Sequence, residues 1–356
     1  QRLRETIQSA MEVIDGDLFV VLTGCTADII GDDIKSILNE FEKAEQKVIC
    51  VETAGFKGNS YLGYELAWEA IINQLVKPAK KNANTVNVFG AVPTQDLFWL
   101  GNLMVMQNLL NKLGLKVNTF YTNCQNITNV RDSSTASLNI FFSPYVGERM
   151  TNLYSDKFNI PSLRFPGFPI GPTATNEFIC EVGHHLALDQ QQISKMLDME
   201  NKTVYELFNR ATLAFNGFNF QHHFAIIGDA ATAITVTQFL TNDLGQIPVV
   251  AAITDNPPAS SRSFILNEFK TLEYPDEVPV YFIEDLQEIH DVVSTYHPTY
   301  ILGSSLDRNL ANELNALFLS VTFPVTDKII LNKSYAGYDG CVRFIEDYFK
   351  EYFSML

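Results

Sequence analysis

The sequence lacks the short motifs from which many enzymes are recognised. It contains no GxGxxG or GxxxxGK[ST] phosphate-binding loop, no HExxH zinc helix and no GxSxG nucleophile turn. None of its apolar runs approaches the roughly 18 residues that a membrane-spanning helix needs. A dinucleotide site, a zinc-peptidase site and a membrane span are therefore not predicted.

Basic residues are scarce relative to acidic ones. The chain of 356 residues has 25 Lys and Arg against 41 Asp and Glu, a net charge of −16. Such a balance argues against nucleic acid or an anionic membrane surface as a partner. A hydrophobic content of 46% is ample for packed cores, and the length suits two or three domains.

Cysteine is also sparse, with five residues far apart in the chain and no CxxC pair: Cys25, Cys50, Cys124, Cys180 and Cys341. This pattern favours neither a disulfide framework nor a self-contained zinc or ferredoxin-type site. It is typical of a protein of the reducing cytoplasm. The histidine pairs 184–185 and 222–223 are interpreted as surface or core residues, because adjacent side chains diverge.

One cysteine stands out by its position. The apolar run Leu18–Leu22 predicts a buried strand, the chain turns at Thr23-Gly24, and the amphipathic run Ala27–Ala44 predicts a helix. Cys25 would then lie at the turn between strand and helix, where free N–H groups and the helix dipole favour a thiolate. An iron-binding sulfur, a nucleophile and a small core residue all remain open for Cys25.

Short β-branched runs alternate with helical runs along the whole chain, which indicates parallel strands joined by crossover helices. We predict an α/β fold of three Rossmann-like, doubly wound domains. The first domain covers residues 1–80 together with a C-terminal helix at 335–356, the second covers 85–205 and the third 206–334. Ligands are expected at the carboxyl ends of the strands. Asp229, after the predicted strand Phe224–Ile227, is interpreted as a helix cap.

The string GCTADIIGDDI around Cys25, followed by GFKGNSYLGYELAWEAI, resembles the β-type subunit of nitrogenase component 1. Further short segments similar to that family follow in the same order. They are Val86–Leu113 with Gly101-Asn102, Lys157–Pro161, Pro169–Thr175, Phe224–Asp229, Phe323–Val325 and Gly337–Gly340.

This resemblance implies that Cys25 binds an iron–sulfur cluster, of P-cluster or [4Fe–4S] type, which is shared with a partner chain and relays electrons. The implied partners are an α-like subunit in a heterotetramer and an ATP-dependent iron–sulfur reductase. The α-type chains hold their active-site metal cluster with a cysteine and a histidine. Here Ser143 replaces the cysteine and Asp327 or Lys328 the histidine, so a β-type role is implied.

The chain departs from the family at two points. No cysteine precedes Cys25, although β-type chains carry further cluster cysteines upstream. Either an N-terminal part is missing, or this is a divergent member with a simpler cluster. In addition, Gly55 occupies the place where some members have a serine, and Ser60 is out of register with it.

Two other functions remain open at this stage. The chain could be a scaffold that assembles or holds a metal cluster without turning over substrate. It could also be a multi-lobed protein that binds a small ligand between its lobes. The substrate of a reductase, whether dinitrogen, a tetrapyrrole or another compound, is not indicated by the sequence.

Overall fold

The computed structural model describes residues 1–31, 33–41, 47–215, 221–275 and 277–353. Three separate parallel sheets, of two, four and five strands, follow one another along the chain. Helices connect the strands, and this arrangement confirms the predicted α/β fold class. In the parts of the chain that are described, no helix combines the length and the apolar character needed to cross a membrane.

The first unit carries the two-stranded sheet. Its elements are α1 (Arg2–Val13), β1 (Leu18–Thr23), α2 (Cys25–Ile30), α3 (Ile34–Asn39), β2 (Lys47–Glu52) and α4 (Ser60–Leu75). The predicted single helix Ala27–Ala44 is wrong, because the chain forms the two short helices α2 and α3 there. Gly31 ends α2 in the left-handed conformation with φ 74°, and the Asp33 side chain then starts α3 by accepting the N–H of Ser36. Residues 42–44 lie outside the described residues.

The second unit has strand order β4-β3-β5-β6. Its elements are β3 (Thr85–Phe89), α5 (Trp99–Lys112), β4 (Lys116–Asn118), α6 (Ile127–Arg131), β5 (Leu138–Phe142), α7 (Glu148–Phe158), β6 (Ser162–Phe165), α8 (Gly171–His185) and α9 (Gln190–Phe215). Gly114 has φ 79° just after α5, a left-handed conformation that commonly ends a helix. The segment 161–172 is rich in Pro and Gly, and its start forms the edge strand β6, where only one side needs ladder hydrogen bonds.

The third unit has strand order β11-β10-β7-β8-β9. Its elements are β7 (His223–Gly228), α10 (Ala230–Gln238), β8 (Ile247–Ile253), α11 (Ala259–Lys270), β9 (Val280–Phe282), α12 (Leu286–Ser294), β10 (Tyr300–Gly303), α13 (Arg308–Glu313), β11 (Leu317–Ser320) and α14 (Gly337–Phe353). The segment Phe323–Val325 follows β11 and lies outside the sheet. A proline with no N–H to give suits that position outside the ladder.

The last helix is fixed to the third sheet by aromatic packing. The ring of Tyr348 on α14 stacks on that of Tyr300 on β10 at 4.2 Å between centroids, and the Tyr300 hydroxyl donates to the carbonyl of Tyr348 at 3.0 Å. Helix α14 packs chiefly against α8, α9 and β11, whereas the sequence prediction placed it with the first unit. The limits of the three domains stay a prediction.

Candidate functional site

Cys25 lies at the carboxyl end of the two-stranded sheet, as its sequence position predicted. Strand β1 ends at Thr23, and Gly24 is extended. Cys25 is the first residue of α2, and its side chain is exposed. The next strand ends beside it, because the Thr53 N–H donates to Thr23 Oγ1 and the Thr53 hydroxyl donates to the Thr23 carbonyl, each at 3.2 Å. The turn after β2 is thereby held next to Cys25.

That turn supplies a hydrogen bond to the sulfur. The Gly55 N–H donates to Cys25 Sγ at 3.2 Å, and a Cβ added at Gly55 would lie 3.6 Å from the same sulfur. Backbone N–H groups that donate to a ligand sulfur are one means by which proteins tune iron–thiolate bonds. The sulfur is therefore held by backbone on one side and is open on the other.

An ion pair joins α2 to the same turn. Lys57 Nζ lies 2.7 Å from Asp28 Oδ2 and 3.3 Å from Glu52 Oε2. The hydrogen bond from Lys57 holds the pKa of the Asp28 carboxyl below its ordinary value. The local charges are thus paired with each other, and the Cys25 side chain is left with the Gly55 contact.

Exposed apolar side chains are frequent in the unit that carries Cys25. We call them the apolar margin: Val13, Ile14, Val20, Leu22, Ile29, Ile30 and Phe56. They come from the end of α1, from β1, from α2 and from the turn after β2, and Leu22 and Phe56 are each 62% exposed. Leu22 lies on the strand that leads to Cys25, and Phe56 follows Gly55, so part of the apolar margin borders the sulfur and is a candidate interaction surface.

The donor set of the described residues is incomplete for a metal cluster. Across the described ranges, no group of three or more His, Cys, Asp or Glu side chains is placed to hold a metal ion. Cys124 and Cys180 are exposed on the second unit, and Cys341 is buried, where its thiol donates to the Tyr338 carbonyl and burial raises its pKa. Cys25 can thus supply one sulfur ligand, and a cluster would need others from outside these residues.

A second candidate region, which sequence reasoning missed, lies where the three units meet. We call it the central cleft, a cavity of about 60 Å³. Three carboxyl groups line it, and each follows a strand of a parallel sheet: Asp96 after β3, Asp229 after β7 and Asp255 after β8. The rule that ligands and polar groups gather at the carboxyl ends of parallel strands could have found them.

The carboxyl groups of the central cleft have internal partners. The Tyr145 hydroxyl donates to Asp255 Oδ2 at 2.8 Å, and the Tyr61 hydroxyl donates to Asp96 Oδ1 at 3.1 Å. Asp229 accepts the N–H of Thr232 at 2.9 Å, which confirms that it caps α10. The cleft is therefore a satisfied polar network.

The structure also places the residues that stand where α-type chains have metal ligands. Ser143 is buried at the cleft, and its hydroxyl accepts the N–H of Val146 at 3.0 Å. Asp327 pairs with Arg308, and Lys328 donates to the carbonyl of Ser320 at 3.4 Å. Each of these side chains thus makes ordinary structural contacts.

Fold and site together define an α/β chain of three parallel sheets with an exposed cysteine at the carboxyl end of the first sheet. A model of the family "nitrogenase component 1 type oxidoreductase" matches residues 1–351. The chain belongs to this family, as its sequence motifs predicted.

Individual relatives are distant but extensive. One of the subunits of light-independent protochlorophyllide reductase from Chloroflexus aurantiacus is 21% identical over 354 residues, which cover 95% of this chain and 62% of that protein. The nitrogenase molybdenum-iron protein beta chain of Azotobacter vinelandii is 21% identical over 385 residues, covering 97% and 70%. This chain thus spans less than two thirds of the Chloroflexus relative.

A solved structure, nitrogenase Cp1 at pH 6.5, shares the fold. Its superposition gives a TM-score of 0.82 at 18% identity and covers 99% of this chain and 79% of that one. At this identity the likeness bears on the fold alone. It agrees with the three parallel sheets described above.

Proposed function

We propose that this chain is the β-type, electron-relaying subunit of a nitrogenase-like reductase. Cys25 supplies one sulfur ligand to an iron–sulfur cluster that is shared with an α-like partner chain. The observation that carries the proposal is the exposed Cys25 thiol at the carboxyl end of the first sheet, in the unit that also carries the apolar margin. When bound, such a cluster takes up and passes on single electrons.

The incomplete donor set supports a shared cluster. A single thiolate cannot hold a cluster, so a site with only Cys25 must be completed by ligands from elsewhere. Burying the apolar margin against a partner would remove from water side chains that are now largely exposed, such as Val13 and Ile29. It would also enclose the sulfur in a low-dielectric environment, where the Gly55 N–H bond is stronger.

The rest of the chain supports a relaying role over a substrate-reducing one. The central cleft has Ser143 where α-type chains hold their active-site cluster, and neither cysteine nor histidine is among its described lining residues. Substrate reduction then belongs to the partner. We propose a heterotetramer with the α-like chain, supplied with electrons by an ATP-dependent iron–sulfur reductase in a reducing cytoplasm.

The reaction class follows from the relatives. Nitrogenase beta chains and a protein of light-independent protochlorophyllide reductase match this chain over most of its length. The proposal therefore covers nitrogen fixation or a related reduction of an unsaturated substrate by single-electron steps.

The test is an anaerobic co-expression of this chain with the α-like partner, followed by measurement of iron and acid-labile sulfide. We expect both in the complex, and we expect the Cys25→Ala variant to lose them while it still binds the partner. The matched control is Cys180→Ala, which removes an exposed thiol from α8 on another face. That control should keep its iron.

Two results would refute the proposal. One is an equal iron content in the wild-type complex and in the Cys25→Ala complex. The other is an iron-free complex from the full-length gene products of both chains. A chain that binds iron without a partner and donates it to a third protein would instead favour the scaffold hypothesis.

A further inference from the structure

A second and larger cavity adjoins the central cleft, and we call it the junction groove. Its volume is about 920 Å³, within the range of about 300–1,000 Å³ that is usual for small-molecule sites. Residues from the first turns of three helices line it, one helix from each unit: Leu62 of α4, Arg149 of α7 and Arg262 of α11. Tyr61 and Val146 line both cavities. The junction groove is therefore large enough to hold a ligand beside the cleft.

Arg262 is held in the junction groove by neutral partners. Its Nε donates to the Pro257 carbonyl at 3.3 Å, and its Nη2 donates to Asn256 Oδ1 at 3.2 Å. The guanidinium also lies over the ring of Phe282, 4.7 Å from the centroid. No carboxylate is among its hydrogen-bond partners in the described part of a chain that has 41 Asp and Glu. Arg262 is therefore a fixed, half-buried cation whose Nη1 donors can bind a ligand.

Arg149 places a second cation on the groove, from the second unit. Its Nη1 donates to Glu69 Oε2 at 3.1 Å, and its Nε lies 3.9 Å from Glu65 Oε2. The other carboxyl oxygen of Glu65 already accepts two backbone N–H groups at the start of α7. The Arg149 side chain is about half exposed, so it can contact a ligand in the groove while it keeps the pair with Glu69.

Two further carboxylates, Glu148 and Glu284, line the groove and are exposed to solvent. They oppose an anion, but solvent and salt screen interactions between exposed charges. A ligand that contacts both arginines gains two charge-assisted interactions, and Arg262 loses little freedom because its orientation is already fixed. The groove therefore favours a ligand with two anionic groups over one with a single anionic group.

We propose that the junction groove binds a small dianion that carries carboxylate or phosphate groups. One anionic group pairs with Arg262 and the other with Arg149, because the planar guanidinium matches the oxygens of both kinds of group. The side-chain amides of Asn152 and Asn256 line the same groove and supply neutral hydrogen-bonding groups. Such a ligand bridges the second and third units. This inference does not depend on the proposed electron relay at Cys25.

The experiment is titration calorimetry on the full chain with two dianions, glutarate and pyrophosphate, and with the uncharged analogue glutaramide. We expect at least one dianion to bind with a Kd of about 1 mM or lower, and glutaramide not to bind. The dianion that binds more tightly identifies the ligand as a carboxylate or a phosphate compound. Arg262→Gln should weaken its binding by about 10- to 100-fold, because it removes the charged hydrogen-bond donor.

Two further variants distinguish a ligand contact from a loss of structure. Glu148→Gln removes a negative charge from the groove and should tighten binding of the dianion, which a damaged fold would not do. Arg210→Gln removes an exposed arginine on α9, outside the groove, and should leave the affinity unchanged.

The proposal is overturned if neither dianion binds more tightly than glutaramide. It is also overturned if Arg262→Gln binds the dianions as tightly as the wild type does. Unchanged or weaker binding in Glu148→Gln overturns it as well, and this third result decides the matter even if Arg262→Gln fails to fold.

Discussion

The carboxyl end of the two-stranded sheet, here called the Cys25 edge, differs in construction from the central cleft, although the two occupy the same topological position. Both lie at the carboxyl ends of parallel strands. The Cys25 edge belongs to a sheet of two strands, and Leu22 on β1 is 62% exposed. The cleft belongs to the four- and five-stranded sheets, and Leu302 on β10 is fully buried.

This difference follows from how much surface each sheet can cover. A pair of strands has too few neighbours to bury both of its faces, whereas larger sheets with helices on both sides bury theirs. The functional groups that the two regions present differ as well. The edge offers one sulfur with an open side, and the cleft offers carboxyl groups that already have internal partners. The first is suited to completion by another chain, whereas the polar groups of the second already have partners within this chain.

The largest effect is expected when one leucine in each of the two regions is replaced by alanine. Leu302→Ala should lower the free energy of unfolding by about 2–5 kcal/mol, because it leaves a cavity in the core. Leu22→Ala should change it by no more than about 0.5 kcal/mol in the isolated chain, since the side chain is mostly in water. Urea unfolding measures both.

The same two variants distinguish an effect on folding stability from an effect on assembly with a partner. Leu22→Ala should weaken binding of the proposed α-like partner, which titration calorimetry can measure. A loss of stability for Leu22→Ala as large as that for Leu302→Ala would mean that β1 is covered within this chain, and the contrast between the regions would not hold.

Two glycines within helices allow a second comparison between close and open packing. A Cβ at Gly101 on α5 would lie 2.2 Å from the Lys333 carbonyl oxygen, whereas a Cβ at Gly63 on α4 would meet nothing within 4 Å. Gly101→Ala should therefore cost about 1–3 kcal/mol through overpacking against backbone. Gly63→Ala should stabilise the chain by about 0.5–1 kcal/mol, because alanine is the better helix former. Thermal unfolding in which both variants moved in the same direction would contradict this assignment of close and open packing.

A third test concerns the contact between the first and second units. Glu65 on α4 is buried and accepts the N–H groups of Gly147 and Glu148 at the start of α7. Burial raises the pKa of its carboxyl. Glu65→Ala should cost about 1–2 kcal/mol, because it leaves these two donors without an acceptor.

The matched control for that test is one turn further along α4. Glu69 pairs with Arg149 at 3.1 Å in a partly exposed position, so Glu69→Ala should cost no more than about 1 kcal/mol. Equal losses for Glu65→Ala and Glu69→Ala in urea unfolding would show that the cap does not join the two units.

Local patterns were sufficient to predict much of the fold. Strand β1 was predicted within one residue, because apolar residues 18–22 are bounded by a Gly turn. Strand β11 was missed, because its four residues, LFLS, follow closely on the short helix α13 and have no distinct period. Helix α11 was missed because the Pro257-Pro258 pair before it is more typical of a loop, although Pro258 is its N-cap.

The two sites could be predicted from the sequence to different degrees. The place of Cys25 after a strand was predicted, because a strand-to-helix turn is a local pattern. The approach of Gly55 to its sulfur was not, since it requires the pairing of β1 with β2, which are separated by 23 residues that include undescribed ones. The carboxyl groups of the central cleft come from three strands in two sheets, so only the assembled fold brings them together.

The smallest effects are expected from single carboxyl groups, and a carboxyl beside Cys25 should differ in sign from one that is largely buried elsewhere in the chain. Lys57 lowers the pKa of Asp28 beside Cys25, so Asp28 stabilises the chain above its unfolded pKa of about 4, and this contribution disappears as the pH falls. Burial raises the pKa of Asp243, whose carboxyl accepts the Thr173 hydroxyl at 2.7 Å, to about 6. The stability that Asp243 contributes is therefore present at low pH and is lost as the pH rises toward 6. Asp28→Asn should flatten the acid side of a plot of melting temperature against pH, and Asp243→Asn should flatten the slope between about pH 4 and 6. If both variants changed the plot in the same direction, the electrostatic contrast between the open edge and the packed interior would be wrong.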